Sequence, residues 1–459
     1  MMKLSTNLLT LLCALAITQI ATGEDWLRFR GPNGSGVSKS EQETVTNFGD
    51  DENLIWKTRL PGPGASSPVV VGNRVFVTCY SGYGESKENV GDMQDLQRHL
   101  VCIDRTSGKV LWEKSVPPYL PEDEFRGMGV PEHGYSSSTP VSDGKHLFVF
   151  FGKSGVIAYD LDGKEIWRKS VGTNSGIRKW GSASSPILFD GILIVNASDE
   201  DQAIYGIEAM TGKELWKTKT EDMANVWNTP VIISPENNPQ LVISVPDEVW
   251  ALNPRNGKLK WYVTKGVDAP SVSTSIVVDG ENIIAMGGRS RNAVAVKTGG
   301  KSDVTDKNII WEGRAISTIA TPISYQGHLY SVTQGIANCI SAATGKEVYK
   351  ERIPSSLNSP EMRPTDSQPG DGVIRLAPPG GNRRRARNYS SPVIADGKIY
   401  QFTRDGTCYV LTAKPEYELL ATNQFLADTS GFNSTPAISN GRIFIRSNQH
   451  LYCIGAKTQ

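Results

Sequence analysis

Tyr135, Trp180, Trp227 and Tyr389, with Arg178, Arg289, Arg404 and Arg446, are the residues of this chain suited to holding a flat, anionic ligand. Aromatic faces stack on such a molecule, and guanidinium groups pair with its carboxylates. The plainer reading of the same residues is an aromatic plug with a solvated cationic rim. Arg383, Arg384, Arg385 and Arg387, in the stretch GNRRRAR, carry enough charge to bind phosphate, an anionic lipid or an acidic sugar. With Pro and Gly around them, they also read as a solvated loop. Asp199, Glu200 and Asp201 are an acidic run near these groups, and His133 beside Glu132 stands outside the repeat described below. No catalytic residues can be assigned, and no metal ligands. Spacings of the C-x-x-C type are absent, so zinc and covalent c-type haem lack their signature. Beyond Cys13, the five cysteines are Cys79, Cys102, Cys339, Cys408 and Cys453, an odd number that leaves at least one thiol unpaired. Cys79 and Cys102 could pair in an oxidising compartment.

Elements must position these groups, and composition indicates which kind. The chain has 459 residues, with 48 Lys and Arg against 48 Asp and Glu. A balanced charge argues against a whole-chain nucleic-acid binder, which would be basic. With 45 Gly, 26 Pro and 10 Trp, the composition favours many turns between short strands over helices.

A repeat sets the architecture. Ser66-Ser67-Pro68, Ser138-Thr139-Pro140, Ser184-Ser185-Pro186, Asn228-Thr229-Pro230, Ala320-Thr321-Pro322, Ser390-Ser391-Pro392 and Ser434-Thr435-Pro436 each precede an apolar strand. An eighth copy is read at Ser273-Thr274-Ser275, with Ser275 in the proline slot and Asp279-Gly280 setting the register. A second motif closes each unit, as in Thr211-Gly212-Lys213 before Trp216. The corresponding tryptophans Trp56, Trp112, Trp167, Trp216, Trp261 and Trp311 are expected to pack between units and hold the ring. Each unit then reads as four strands: one after the Pro, a tight Asp-Gly or Asn-Gly turn, two more strands, and the Trp strand. Eight such units predict an all-β, eight-bladed β-propeller of four-stranded antiparallel blades.

The last unit lacks its outer strand, and Asn53-Leu54-Ile55-Trp56-Lys57 has no unit of its own. An N-terminal strand therefore closes the ring, which is expected to be monomeric. The three largest insertions, Tyr80 to Arg98, Glu113 to Ser137 and Lys350 to Tyr389, fall on one face, which makes it the expected binding face.

The N-terminus reads as an address. Lys3, an apolar run from Leu8 to Ile20 and the small residues Ala21-Thr22-Gly23 form a secretory signal, too short to span a bilayer well. The expected organisation is a signal peptide over 1–23, a strap over 24–52 and the propeller over 53–459. The mature chain is expected to be periplasmic or secreted, with no transmembrane span.

The combination of Ser-Ser-Pro, Asp-Gly, Thr-Gly-Lys and Trp resembles the repeat of pyrroloquinoline quinone (PQQ) enzymes. That repeat is shared with the periplasmic lipoprotein of the outer-membrane β-barrel assembly machinery. The segment Trp26 to Val37 (WLRFRGPNGSGV) resembles the start of secreted PQQ-like propellers abundant in planctomycetes. The resemblance is specific for fold and implies two functions. One is an extracytoplasmic scaffold whose long-loop face docks an envelope protein, peptide or glycan. The alternative is a quinoprotein dehydrogenase oxidising alcohols or sugars with PQQ and Ca²⁺. Enzymes of that type stack the cofactor on a disulfide of adjacent cysteines, and this chain has no Cys-Cys pair.

Overall fold

In the computed structural model, residues 24–127, 129–234, 236–288, 290–354 and 388–457 are described. Among them, eight antiparallel sheets follow one another along the chain, each with its first strand innermost. Blades 1 to 7 span 69–116, 141–169, 187–219, 231–263, 277–314, 323–352 and 393–424. Blade 8 takes three strands from 437–454 and its outer strand, Leu54–Arg59, from the N-terminus. Trp56 lies opposite Cys453 and Arg59 opposite His450, so the ring is closed by strand pairing. Blade 4 gains a short fifth strand, Ser302–Asp303, which runs parallel to its outer strand.

Each blade is buried on both sides, because its neighbours pack face to face against it. The second and third strands therefore read as nearly continuous apolar runs, as in Val75–Val77 with Leu100–Ile103 of blade 1. The core is a set of slabs between blades. Leu193 and Val195 meet Phe148 and Phe150 between blades 2 and 3, for example, and Ile232 and Ile243 meet Ile194 between blades 3 and 4.

The recurring tripeptide has a physical role at the axle. The backbone N–H of its second residue donates to the Ser or Thr hydroxyl at the same place in the next blade. The series runs Ser67, Thr139, Ser185, Thr229, Ser275, Thr321, Ser391, Thr435 and back to Ser67, with distances of 2.9–3.1 Å. Eight hydrogen bonds close a circle. The proline that follows most of these residues holds them extended, since the residue before a proline is kept out of the helical region.

This circle corrects the register expected for blade 5. Ser275 accepts from Thr229 and donates to Thr321, so it fills the Ser/Thr slot and Ile276 stands where the other blades have proline. Asp279 pairs with Asn282 and leaves Gly280-Glu281 as the turn, whereas Asp190-Gly191 forms the turn of blade 3. The Asp-Gly pair sits one residue earlier in blade 5 than in blade 3, so it places the proline slot on Ser275 although Ile276 fills it.

The Thr-Gly-Lys turn and the tryptophan are two halves of one contact. The indole N–H of Trp112 donates to the Leu161 carbonyl of the next blade, Trp167 to Ala209, Trp216 to Pro254, Trp311 to Ala342 and Trp56 to Arg105. The turn glycine lies under the preceding blade's indole: a Cβ on Gly212 would stand 2.8 Å from Trp167, and Gly212 also has φ +74. Trp261 departs from the pattern and donates to Gln240 of its own blade. Blade 5 has the 298–308 insertion where blades 1 to 4 and 6 have the tight turn.

The five cysteines among the described residues are all free and buried. Cys79 pairs in register with His99, and Cys102 with Phe76, on adjacent strands. The two side chains enter different interblade slabs, so the suggested Cys79–Cys102 bridge does not form.

Candidate functional site

On the long-loop face, the blade 1 insertion and the 117–140 connection share a small core of Tyr80, Tyr83, Leu96, Phe125 and Val130. Tyr135 packs into it edge-on to Tyr80, with ring centroids 5.4 Å apart, and its hydroxyl donates to the Asp123 carbonyl at 2.6 Å. Tyr135 thus anchors this connection.

The connection then crosses the mouth of the ring. Its short helix Val130–His133 places Glu132 against Arg404 of blade 7 at 2.5 Å, and the Glu132 carbonyl accepts from Asn433 ahead of blade 8. Arg404 also lies 5.1 Å from the Tyr389 ring centroid. Gly129 meets Trp180 so closely that a Cβ there would stand 2.2 Å from the indole. Trp180 stacks on Trp227 with centroids 5.1 Å apart and planes 18° from parallel, and the Arg178 guanidinium lies 5.0 Å from the Trp180 ring centroid. His133 is held neutral, with burial pushing its pKa down to about 4.

Arg446 was expected at the mouth but is completely buried. Its guanidinium donates to the carbonyls of Ser447, Thr78 and Gly62, bracing blade 8 against blade 1. Arg289 and the arginines at 383, 384, 385 and 387 lie outside the described residues.

The acidic run carries the chemistry of this face. Asp199 and Glu200 sit on the short helix Ser198–Asp201, between the second and third strands of blade 3. They line an inner cavity of about 30 Å³ together with Glu122, Asp123, Arg98 and Lys153. All six are more than nine-tenths buried. Arg98 pairs with Glu122 at 2.7 Å, and Lys153 lies 3.6 Å from Asp123 while donating to the Pro121 carbonyl and Ser175. Asp199 accepts from the Trp227 indole at 3.2 Å, and Glu200 accepts from Ser182. Neither has a cation in direct contact. Burial pushes the Asp199 carboxyl up to about 7, and burial together with Asp199 pushes Glu200 up to about 8. Loop glycines permit this burial: a Cβ on Gly176 would meet Asp199 at 2.3 Å, and one on Gly172 the Glu200 carbonyl at 2.3 Å. Beside the cavity, a groove of about 310 Å³ opens between residues 174–177 and the 198–202 segment, and Asp199 lines both.

The profile of the family described as outer membrane protein assembly factor BamB matches residues 97–351, more than half of the chain. The chain belongs to the BamB family. The assembly factor BamB of Yersinia pestis is 24% identical over 355 residues, which cover 70% of this chain and 84% of that protein. The BamB structure from Moraxella catarrhalis superposes with a TM-score of 0.57 and 12% identity, covering 87% of this chain and 99% of that one. Quinohemoprotein alcohol dehydrogenase ADHIIG from Pseudomonas putida HK5 gives a TM-score of 0.61 and 10% identity, covering 95% of this chain and 81% of its own. At these identities the structural likeness is one of fold. No helix among the described residues of this BamB-family chain is long and apolar enough to cross a membrane.

PQQ is a tricarboxylate, and the residues at this mouth fit it poorly. The two indoles cover one another, Arg404 is held by Glu132, and Arg446 is turned into backbone carbonyls. The two cations of the adjoining cavity wall, Arg98 and Lys153, are taken up by Glu122 and Asp123.

Proposed function

We propose that this BamB-family propeller is an extracytoplasmic binding module whose long-loop face docks a polypeptide of the cell envelope. One observation carries the reading. The 117–140 connection lies over the mouth, against Trp180 ahead of blade 3 and clasped through Glu132 to Arg404 of blade 7 and Asn433 ahead of blade 8. A connection held in this way presents its outer surface for binding. The small core around Tyr80 and Tyr135 holds that surface rigid, as a docking platform requires. The likeness to the assembly factor BamB and the signal-like sequence of residues 1–23 support an envelope location.

The dehydrogenase reading has one observation in its favour. Asp199 is a buried carboxyl close to neutrality, the kind of group that can act as a general base.

Site-specific photo-cross-linking separates the two. With the photoreactive residue at Arg178 or Lys179, the full chain in its native envelope should give one discrete protein adduct. The same residue at Gly191 or Gly397, in first-hairpin turns on the opposite face, should give none. Equal labelling from both faces, or none from the long-loop face, would overturn the docking reading.

A further inference from the structure

The groove beside Asp199 has an unusual distribution of charge. Its deep end is acidic, and the cations nearby are occupied. Arg98 and Lys153 serve Glu122 and Asp123 on the inner wall, while Lys217 and Lys219 both pair with Asp201 at the rim. Asp199 uses one carboxylate oxygen for the Trp227 indole, and the other, Oδ1, is buried with no hydrogen-bond partner. Oε2 of Glu200, behind it, is likewise buried and unpartnered. Two neighbouring carboxyls without a counter-ion are costly in an interior. At the lip of the same groove, among the polar Asn174, Ser175 and Gln202, Ile177 is 76% exposed, the most exposed large hydrophobic side chain of the described residues.

An acidic floor with one exposed apolar side chain at its lip suits a long aliphatic side chain ending in a positive charge, because such side chains lay their methylenes on apolar surface and keep the charged head separate. We propose that this groove receives one lysine or arginine side chain of the docked polypeptide, with Asp199 as its counter-ion and Ile177 against its methylenes. This inference rests on the docking reading above and names the chemistry of the partner's anchor. A divalent ion suits the groove less well. Hard cations of that kind take six or more oxygen ligands, and no cluster of three metal-ligating side chains exists among the described residues.

Titration of the full mature chain with acetyl-Gly-Lys-Gly-amide tests this, with the norleucine peptide as neutral isostere, read by calorimetry and ligand-observed NMR. The lysine peptide should bind at least about tenfold more tightly than the norleucine peptide, the low end for one partner of a desolvated charge pair. Its binding should release protons, seen as a heat that varies with the buffer. The free carboxyls that exchange protons here are Asp199 and Glu200, facing Asp123, Glu122 and Lys153. Asp199→Asn should abolish the preference with the fold intact by circular dichroism. Ile177→Ser, at an exposed position, should weaken both peptides several-fold. Equal binding of the two peptides, or an Asp199→Asn variant that retains the preference, would overturn the proposal. So would a thermal stabilisation by CaCl₂ that Asp199→Asn removes, since it would assign the groove to a metal. If the preference is absent while cross-linking from Arg178 persists, only the groove assignment fails. If the cross-link is absent as well, the docking reading fails with it.

Discussion

Thr139→Val probes the axle circle with almost no change of shape. Thr139 is 1% exposed, and its hydroxyl accepts the Ser67 backbone N–H at 2.9 Å. Valine fills nearly the same volume, so no cavity forms, but it offers no acceptor. The Ser67 N–H is then buried without a partner, at a cost of about 1–3 kcal/mol. The same reasoning applies to Ser275→Ala, which strands the Thr229 N–H. For domains of 150–250 residues, 1 kcal/mol shifts Tm by about 2–4 °C, and a longer chain shifts less. Each variant should therefore lower Tm by a few degrees in differential scanning calorimetry and lower the urea midpoint without changing the slope. Because Thr139 and Ser275 lie well apart on the circle, the double variant should show the sum of the two losses. A change below about 0.3 kcal/mol in both single variants would refute the circle as a source of stability. Destabilisation by Thr139→Val but not by Ser275→Ala would refute the corrected register of blade 5.

Three further outcomes are expected. Gly191→Ala, at φ +74 with open space around it, should cost about 1–2 kcal/mol, whereas Gly212→Ala at the same φ must also displace Trp167 and should cost about 2–5 kcal/mol by urea denaturation. Asp199 and Glu200 stay protonated in the folded chain up to about 7 and about 8, while the unfolded carboxyls ionise near pH 4, so stability is full below that value and falls as pH rises through the folded values. Thermal scans across this range should show that decline in the native chain and a flatter profile in Asp199→Asn/Glu200→Gln. Glu132→Gln removes a partly buried ion pair of about 0.2–1 kcal/mol, so global Tm should barely move, while amide exchange in residues 129–134 should accelerate about two- to fivefold.

The ring was legible because its signals are local and repeated. A Ser-Pro or Thr-Pro at the start of seven of the eight blades and a Gly-Lys turn before the Trp of blades 1 to 4 are chemical demands of hydrogen bonding at the axle and of an indole lying on a bare backbone. Repetition made them visible. Blade 5 was misaligned by one residue because its proline is replaced by Ile276, and the Asp-Gly used as a substitute landmark occupies a different place in its turn. The site was less legible because burial and direction are three-dimensional properties. Arg446 has the type and spacing of a mouth residue, but its side chain runs inward to carbonyls of blade 1, which no local pattern encodes. Asp199 and Glu200 stand next to each other in the sequence as ordinary loop acids do. Only Gly172 and Gly176, by letting a second loop close over them, bury both. A signal was present in the glycines of the 172–176 segment, but it becomes readable once the partner loop is known.

The central claim is that the long-loop face serves polypeptide docking rather than quinone chemistry. The most direct measurement is a calorimetric titration of PQQ, with Ca²⁺ present, into the full chain, followed by dye reduction with alcohols and sugars. The account predicts no saturable heat and no dye reduction. A one-to-one binding isotherm accompanied by substrate-dependent dye reduction would contradict it.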